Sequence, residues 1–396
     1  MKVLIHDYAG HPFQAQLSRA LARRGDEVVH SYCAAYASGK GRLEAEDGET
    51  VRFEPIGKNS QIAKMDFGRR LIQELKLGFE LVGLIRREKP DVVMVANVPI
   101  PTLSVMAALL FVLRIPWVLW HQDVQAVAIR SFAGEKLSPA FRLVADAIEI
   151  AEKWCARRAA AIVVISDGFL GVHREWRTAD KTTVIPNWAP LDEIEPVERD
   201  NAWAQEHGLT DRPRIVYSGT LGLKHNPTLL PALAKAVEDL GVAVDLVVVN
   251  EGPAEPVLRE AASQHGIDLM LLPFQPYERL SEVLGSADVL VVLLEKDAGV
   301  FSVPSKTLSY LCAGRPVLGM MPEENLAAAL IEQAGGCVLP PDEASIEAAA
   351  RFVVDIVKAP DAAAELGKRS RALAEQEFGL EHLTERFETL LAKAAG

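Results

Sequence analysis

Residues 214–224 read Arg-Ile-Val-Tyr-Ser-Gly-Thr-Leu-Gly-Leu-Lys, the pattern of a strand followed by a glycine-rich turn. Its first residues are typical of a buried strand, which breaks directly into a turn that contains Gly219 and Gly222. Glycine lets backbone N–H groups approach a phosphate with no Cβ in the way, and Lys224 follows with a positive charge. Taken alone, the motif is equally typical of an ordinary βα turn with a surface lysine.

A second segment, residues 303–316, combines a helix start with another lysine. Ser305 is predicted to be the N-cap of this helix, and Pro304 fixes the direction of its entry. Lys306 in the first turn opposes the helix dipole, so a bound anion would remove an electrostatic penalty. Glycine turns and helix N-termini both bind phosphate, and we therefore interpret the two segments as two sides of a diphosphate site.

Strands and helices alternate along the chain, which predicts α/β architecture with parallel sheets. In the first half, strands are predicted at residues 3–6, 27–30, 92–96, 117–120, 161–165 and 183–185. In the second half, they are predicted at residues 214–217, 244–249, 269–272, 289–293 and 317–319. The first helix is predicted from about Phe13 to Arg24 and ends at Gly25. Prolines and Arg114 interrupt the apolar stretch 98–120, which favours a buried helix followed by a strand over a membrane span.

The length and composition predict two domains. A chain of 396 residues with 49% hydrophobic residues can bury ample core, but it exceeds the usual size of one domain. We expect an N-terminal Rossmann-like domain over residues 1–190 and a C-terminal one over residues 191–379, joined by the acidic stretch 190–211. The amphipathic segment 380–396 is expected to pack back on the first domain. The domains are expected to face each other across a cleft, with ligands at the carboxyl ends of the strands.

The net charge of −12 is unevenly distributed. Residues 1–190 contain 25 Lys and Arg against 21 Asp and Glu (+4), whereas the rest contains 17 against 33 (−16). Between residues 69 and 89, basic and apolar side chains alternate as in an amphipathic helix. This helix either docks on an acidic lipid surface or packs on the core with a solvated basic face.

The four cysteines form no C-x-x-C motif, and Lys2 leads directly into a strand rather than a signal peptide, so we expect a reducing cytoplasm.

Four further segments follow predicted strands and carry polar side chains. His121-Gln122-Asp123 ends the strand 117–120, where a histidine beside a cleft is well placed for chemistry. Residues 8–12 follow the first strand and can present N–H groups at the first helix, although His11 is equally consistent with a surface position. Residues 250–253 either line the cleft or only connect elements, and residues 274–277 can offer backbone groups to the edge of a base.

In order and spacing, these segments resemble retaining glycosyltransferases of family 4, which have the GT-B fold. The closest resemblance is to the branch associated with colanic acid and O-antigen synthesis, and it covers nearly the whole chain. It is carried by residues 8–10, 121–123, 164–166, 184–188, 218–224, 251–253, 275–280 and 303–306.

The resemblance implies transfer of a sugar from a UDP- or GDP-linked donor with retained anomeric configuration, and it implies no metal and no cofactor. The implied acceptor is a polysaccharide or a glycan linked to polyprenyl diphosphate, at the cytoplasmic face of the membrane, with no nucleic acid involved. Lys224 would neutralise the leaving diphosphate, His121 would orient the donor sugar, and Asp123 would support it. The implied donor-binding residues are Gly10, Ser218, Gly219, Thr220, Glu251, Gly252, Gln275, Ser305, Lys306, Thr307 and Ser309.

The chain departs from the family pattern at two points. Many members carry two glutamates eight positions apart, and those positions are Phe301 and Ser309 here. Glu295 or Asp297 is then the alternative carboxylate. The arginine that often precedes the family's lysine is replaced by Thr220.

Three other functions are weighed against this resemblance. A nucleotide-sugar epimerase or hydrolase of GT-B fold would turn over the donor without an acceptor. A non-catalytic sugar-binding protein of the periplasmic kind is disfavoured by the missing secretion signal. A dinucleotide-dependent oxidoreductase is disfavoured because no G-x-G-x-x-G follows the first strand.

Overall fold

The computed structural model describes residues 1–36, 43–58, 67–127, 139–209, 211–222, 225–252, 254–296 and 306–396. The chain divides into two compact units. Unit 1 comprises Met1–Asn187 together with Leu380–Gly396, and unit 2 comprises Trp188–Gly379. Each unit contains a parallel sheet with helices between its strands, which confirms the predicted α/β class with two Rossmann-like domains.

Unit 1 is built on a sheet whose described strands are all parallel, in the order β3-β2-β1-β4-β5-β6-β7. The strands are β1 (Lys2–Asp7), β2 (Glu27–Cys33), β3 (Arg52–Ile56), β4 (Val92–Ala96), β5 (Trp117–His121), β6 (Ala161–Val164) and β7 (Thr182–Val184). The helices are α1 (Pro12–Arg23), α2 (Phe67–Glu88), α3 (Ile100–Leu113), α4 (Pro139–Arg158) and α5 (Leu170–Glu175). The central strands β4 and β5 are buried along their whole length, as expected of a sheet covered on both faces.

Unit 2 repeats this plan with the strand order β10-β9-β8-β11-β12-β13 among the described residues. Its strands are β8 (Arg214–Ser218), β9 (Asp245–Val249), β10 (Leu269–Leu272), β11 (Val289–Leu293), β12 (Val317–Met320) and β13 (Cys337–Leu339). The helices, continued from unit 1, are α6 (Ala202–Glu206), α7 (Leu229–Asp239), α8 (Glu255–His265), α9 (Leu280–Gly285), α10 (Lys306–Cys312), α11 (Leu326–Gln333), α12 (Ile346–Lys358) and α13 (Pro360–Phe378).

Two strands were missed by the sequence analysis, and both lie at sheet edges. Among the described strands, β3 pairs with β2 alone; it is mostly half-buried and contains Pro55. An edge strand tolerates proline and charged residues because one side of its backbone needs no partner strand. The strand β13 pairs with β12 and spans only Cys337–Leu339.

The terminal helix α14 (Leu380–Ala395) belongs to unit 1 and packs on α1, β4 and β5. The ring of Phe387 lies 4.7 Å from the ring of Trp120, measured between centroids. Arg24 Nε donates to Glu388 Oε2 over 2.9 Å at the rim of this contact. Buried apolar area therefore fixes α14 on unit 1, and the exposed ion pair adds little.

The apolar stretch 98–120 folds as the helix α3 followed by the strand β5, as predicted. Among the helices in the described ranges, we find none with the length and apolar character needed to span a bilayer. The four cysteines are all free thiols.

Both sheets reverse their strand order at one point. The strand β1 lies between β2 and β4, and β8 lies between β9 and β11. The connections on the two sides of such a point diverge, which leaves a crevice at the carboxyl ends of the strands where ligands bind. Each unit therefore has one topologically favoured binding position, after β1 and β4 in unit 1 and after β8 and β11 in unit 2.

Candidate functional site

Lys306 is the central residue at the crevice of unit 2. Its Nζ lies 4.1 Å from the centroid of the Tyr217 ring and donates a hydrogen bond to the Tyr217 hydroxyl. Burial lowers the pKa of Lys306 to about 7, and no carboxylate among the described residues opposes this shift. A desolvated ammonium group with no anionic partner binds an anion strongly, because the ligand then supplies the missing charge.

Because Gly219 has no side chain, the Lys306 side chain can occupy the space next to it. Its φ of +144° lies in a region that side-chain-bearing residues rarely adopt, and a Cβ built there would lie 2.9 Å from Lys306 Nζ. The resemblance implies that Gly219 binds the donor. In this structure the Gly219 amide donates to Val249 O over 2.9 Å and extends the ladder between β8 and β9, so this amide is not free for a ligand.

The other amides of the turn are mostly engaged as well. Leu221 N donates to Asn250 Oδ1 over 2.7 Å, and Gly222 N donates to His225 Nδ1 over 3.1 Å. Ser218 N donates to the Tyr310 hydroxyl over 2.9 Å. Within the described part of the chain, the Thr220 amide makes no hydrogen bond. Of residues 218–222, the described part of the turn, only Thr220 has an amide without a hydrogen bond, so these residues do not form a full cradle of N–H groups.

The loop after β9 packs against this turn. A Cβ at Gly252 would lie 2.7 Å from Leu221 O and 2.9 Å from Asn250 Oδ1, so only glycine allows the close approach. The Nδ2 of the buried Asn250 has no hydrogen-bond partner in the described structure. Asn250 was predicted only as part of the segment 250–253 that can line the cleft, and not as a donor-binding residue.

Glu251 and Gln275 lie at the ends of the neighbouring strands β9 and β10. Glu251 is exposed, and its Oε1 accepts a hydrogen bond from Phe274 N over 3.2 Å. The Gln275 side chain is bound within the protein, since its Oε1 accepts from Trp203 Nε1 and its Nε2 donates to Pro273 O. Gln275 therefore fixes the loop after β10, and its side-chain amide is not free for a ligand.

Two more predicted residues lie on α10, which begins at Lys306. Thr307 is fully buried, and its Oγ1 has no partner among the described residues. Ser309 is half-buried. Glu295 follows β11 and is also half-buried. Five positions named in the sequence analysis lie outside the described residues: Lys224, Asp297, Phe301, Pro304 and Ser305.

Unit 1 contains a cavity of about 250 Å³ at the carboxyl ends of its strands. His121, Gln122 and Asp123 line it, as do His11 and Asn97 from the loops after β1 and β4. Asp123 is exposed, whereas His121 is buried. The predicted residue Gly10 is also buried, and its amide donates to Asp7 O, so it closes the turn after β1.

Both ring nitrogens of His121 are engaged by protein partners. Its Nδ1 lies 3.2 Å from His173 Nε2, and its Nε2 lies 3.1 Å from Glu152 Oε1. Glu152 is itself fixed by the amides of Gln125 and Ala126, each at 2.9 Å. In this arrangement, His121 reaches a sugar only if one of its two ring hydrogen bonds opens.

His173 continues the chain of hydrogen bonds behind His121. Its Nδ1 lies 2.9 Å from Thr178 Oγ1, and it is fully buried. Burial, with a smaller contribution from His121, lowers the pKa of His173 to about 3, so its ring is neutral at physiological pH. Neither His173 nor Glu152 was predicted, because they lie far from residue 121 in sequence and follow no strand.

The described residues contain no group of three or more His, Cys, Asp or Glu side chains arranged to hold a metal ion. The expectation that the reaction needs no metal stays a prediction.

Each unit has the Rossmann-like architecture of a GT-B domain, and comparison with known proteins supports this class. Residues 10–188 match the glycosyl transferase 4-like domain, and residues 199–373 match the glycosyl transferases group 1 domain. The chain therefore belongs to the glycosyltransferases with the GT-B fold. No curated protein matches it significantly.

Solved structures share this fold over almost the whole chain. Anabaena HepE in complex with UDP and glucose has a TM-score of 0.72 at 16% identity, with 99% of each chain covered. Sucrose-phosphate synthase from Thermosynechococcus elongatus has a TM-score of 0.71 at 16% identity, covering 99% of this chain and 98% of that one. WaaG, a glycosyltransferase involved in lipopolysaccharide biosynthesis, has a TM-score of 0.66 at 15% identity, with 99% of each chain covered.

Proposed function

We propose that this glycosyltransferase belongs to family 4 and moves a sugar from a UDP- or GDP-sugar to a polysaccharide or lipid-linked glycan, with retention of the anomeric configuration. Unit 2 binds the donor and unit 1 binds the acceptor. The observation that carries the proposal is the partly desolvated amine of Lys306, held beside Gly219 at the crevice of unit 2 with no carboxylate partner among the described residues.

The chemistry follows from the charge that develops on the leaving group. The bond between the anomeric carbon and the diphosphate oxygen breaks, and the acceptor oxygen bonds to that carbon. The diphosphate leaves with an added negative charge, which Lys306 and the free amide of Thr220 stabilise, together with Lys224. Fixed donors aimed at developing charge are commonly the largest contribution to catalysis. Glu251, Thr307 and Ser309 complete the donor site in this proposal, and Glu295 or Asp297 contacts the sugar.

The experiment that tests the function begins with binding. A ligand that binds only the folded state raises the melting temperature, so UDP, GDP and their sugars are screened by thermal shift. We expect one nucleotide series to raise the melting temperature. Transfer to glycan or polyprenyl-linked acceptors is then followed with the selected donor, and NMR of the product reports the anomeric configuration. Turnover of donor without any acceptor, together with no transfer, would indicate an epimerase or hydrolase instead.

Binding of the diphosphate is expected to weaken as the pH rises above 7. The pKa of Lys306 is about 7 in the free protein because of burial, and a bound diphosphate raises it. Above pH 7, binding therefore requires proton uptake, and affinity falls by up to about tenfold per pH unit. Calorimetry of UDP or GDP binding at pH 7 and 8.5, in buffers of different ionisation enthalpy, measures this uptake. Affinity that does not change across this range would contradict the assignment of Lys306.

We also propose that the acceptor is reached at an acidic membrane surface on the cytoplasmic side, through α2. One face of this helix is buried, including Leu77, Leu81 and Ile85. Its opposite face exposes Ile72 by 57% and Phe79 by 61%, together with Leu71 and Leu75. Arg69, Lys76 and Arg86 are exposed on the same helix. Large exposed apolar side chains among basic residues are typical of a helix that lies in a lipid headgroup layer. A basic face that only contacts water would not explain the exposed apolar side chains.

The double substitution Ile72→Ser and Phe79→Ser is expected to lower binding to acidic vesicles by more than tenfold. Each large apolar side chain contributes about 1.5–3 kcal/mol when buried, and exposed positions contribute little to folding. Co-sedimentation with phosphatidylserine vesicles is the measurement. Val257→Ser, at an exposed site on α8 of unit 2, is the matched control.

Removing the basic residues Arg69, Arg70, Arg86 and Arg87 is expected to weaken vesicle binding further, by about 1 kcal/mol each. Equal sedimentation of all variants would show that the face is only solvated.

A further inference from the structure

The helix α4 of unit 1 exposes an apolar stripe that the function proposed above does not use. We infer that a second copy of this chain binds to this stripe, through a two-fold symmetric contact in which the two α4 helices pack antiparallel. The inference goes beyond sugar transfer and does not depend on it, because it rests only on the outer face of unit 1.

The α4 stripe consists of Leu143, Ala147, Ile150 and Trp154, which follow one another at spacings of four, three and four residues. This spacing places the four side chains in one line along a helix, as in the seam between paired helices. Leu143 is 71% exposed and Ile150 is 69% exposed, Ala147 is also exposed, and Trp154 is half-buried. On the opposite side of the helix, Glu152 is buried. The line of apolar side chains therefore points away from the core of unit 1.

The α4 stripe is complementary to itself in size. An antiparallel pair whose two-fold axis passes between residues 148 and 149 places Leu143 of one copy against Trp154 of the other. The same axis places the large Ile150 against the small Ala147, and the symmetry repeats both layers. A large side chain opposite a small one lets two helices approach closely and interdigitate. One symmetric arrangement therefore covers all four residues of the stripe.

The charges beside the α4 stripe are complementary in the same arrangement. Asp146 and Lys153 lie on one flank of the stripe, seven residues apart, which is about two helical turns. In the antiparallel pair, Asp146 of one copy lies opposite Lys153 of the other, and the two-fold axis repeats this pair. Flanking charges of this kind select the orientation of two helices. They favour the antiparallel pair that the sizes of the side chains also favour.

The end of α3 enlarges the exposed surface beside α4. Phe111 and Val112 are 63% and 74% exposed, and the Arg158 guanidinium of α4 lies 3.9 Å from the centroid of the Phe111 ring. Apolar surface that extends over two helices is typical of a protein–protein contact. The stripe itself is only about 16 Å long. We therefore expect a dimer with a dissociation constant in the micromolar range, as is common for small interfaces.

An acidic membrane is the less suitable occupant of this surface. The charged flank of the stripe carries two basic residues, Arg142 and Lys153, and two acidic residues, Asp146 and Glu149. An acidic bilayer would gain no net attraction along this flank. On α2, in contrast, the exposed charged residues are mostly basic. The mixed charges beside α4 suit a protein surface with the same mixture, which a second copy supplies.

The test is the oligomeric state of the full chain, measured by sedimentation velocity at concentrations from about 1 to 100 μM. We expect a monomer–dimer equilibrium in the wild type. Ile150→Lys places a charge in a central layer of the contact and is expected to weaken the dimer by more than tenfold. The melting temperature should not change, because the position is exposed. Ile72→Lys, at a site on α2 that is 57% exposed, is the matched control and should leave the dimer intact.

A charge exchange tests the antiparallel pairing. Asp146→Lys alone, or Lys153→Asp alone, brings like charges together twice in the symmetric contact, and each is expected to weaken the dimer about tenfold. The double substitution Asp146→Lys with Lys153→Asp restores opposite charges and is expected to recover dimerisation to the wild-type level. Recovery cannot come from a general effect on folding, because both single variants carry the same changes.

Each other result would overturn the inference. A wild-type chain that stays monomeric throughout this range would exclude the contact, and reduced vesicle binding by Ile150→Lys would then identify lipid as the occupant. A dimer that Ile150→Lys leaves intact, or that Ile72→Lys breaks equally, would place the contact elsewhere. A double exchange that stays monomeric would contradict the antiparallel pairing. None of these results bears on sugar transfer, which nucleotide binding tests separately.

Discussion

Replacing Lys306 with methionine is expected to lower the rate of sugar transfer by a factor on the order of 10²–10³. The amine lies at the crevice of unit 2, where a leaving diphosphate would gain charge, and no carboxylate among the described residues competes for it. Rates at saturating donor and acceptor are the measurement. Lys296→Met is the control, because Lys296 is exposed and bonded to Asp342. From the sequence alone, Lys224→Ala is expected to have an effect of the same size.

The methionine variant also separates catalysis from folding. Methionine keeps the apolar stem against the Tyr217 ring and removes an ammonium group that burial destabilises, so the melting temperature should not fall. Lost transfer with an unchanged or higher melting temperature assigns the effect to the charge. Transfer at the wild-type rate would show that Lys306 does not stabilise the leaving group.

Acidification is expected to destabilise unit 1 between pH 6.5 and about 4. Burial lowers the pKa of His6 and of His30 to about 4, and that of His173 to about 3. Below pH 6.5, the unfolded chain binds protons at these sites while the folded chain does not, so stability falls with pH. Each histidine contributes up to about 1.4 kcal/mol per pH unit in this range. The loss of stability ends near the pKa values that these histidines have in the folded state.

Hydrogen exchange of the β1 and β2 amides at pH 7 and pH 5 measures this loss within unit 1. The substitution His30→Gln is expected to make the pH dependence shallower, since glutamine takes up no proton on unfolding. His265→Gln, at an exposed site on α8 of unit 2, is the control and should leave the dependence unchanged. A pH dependence that is equally steep in His30→Gln would contradict the assignment of a neutral, buried His30.

The central strands were predictable from sequence because they are continuous apolar runs. The strands β4 and β5 match their predicted positions to within one residue, and β8 and β11 do so too. The edge strands β3 and β13 were not predictable in this way, since exposure on one side permits charges and proline. The first helix ends at Arg23, and the predicted stop residue Gly25 follows the C-cap Arg24 with a φ of +100°, which suits glycine.

The sequence predicted which loops form the candidate site, but it did not predict which of their hydrogen-bonding groups are free to bind a ligand. The Gly219 amide is taken by Val249, and the His121 ring is taken by His173 and Glu152. These partners are distant in sequence, and only the folded chain shows which donors remain free.

The most direct test of whether Lys306 binds the donor diphosphate is a crystal structure of the protein with the nucleotide-sugar selected by thermal shift. The structure predicts diphosphate oxygens within hydrogen-bond distance of Lys306 Nζ and of the Thr220 amide, beside Gly219. A diphosphate bound elsewhere, with Lys306 still paired only with Tyr217, would contradict it.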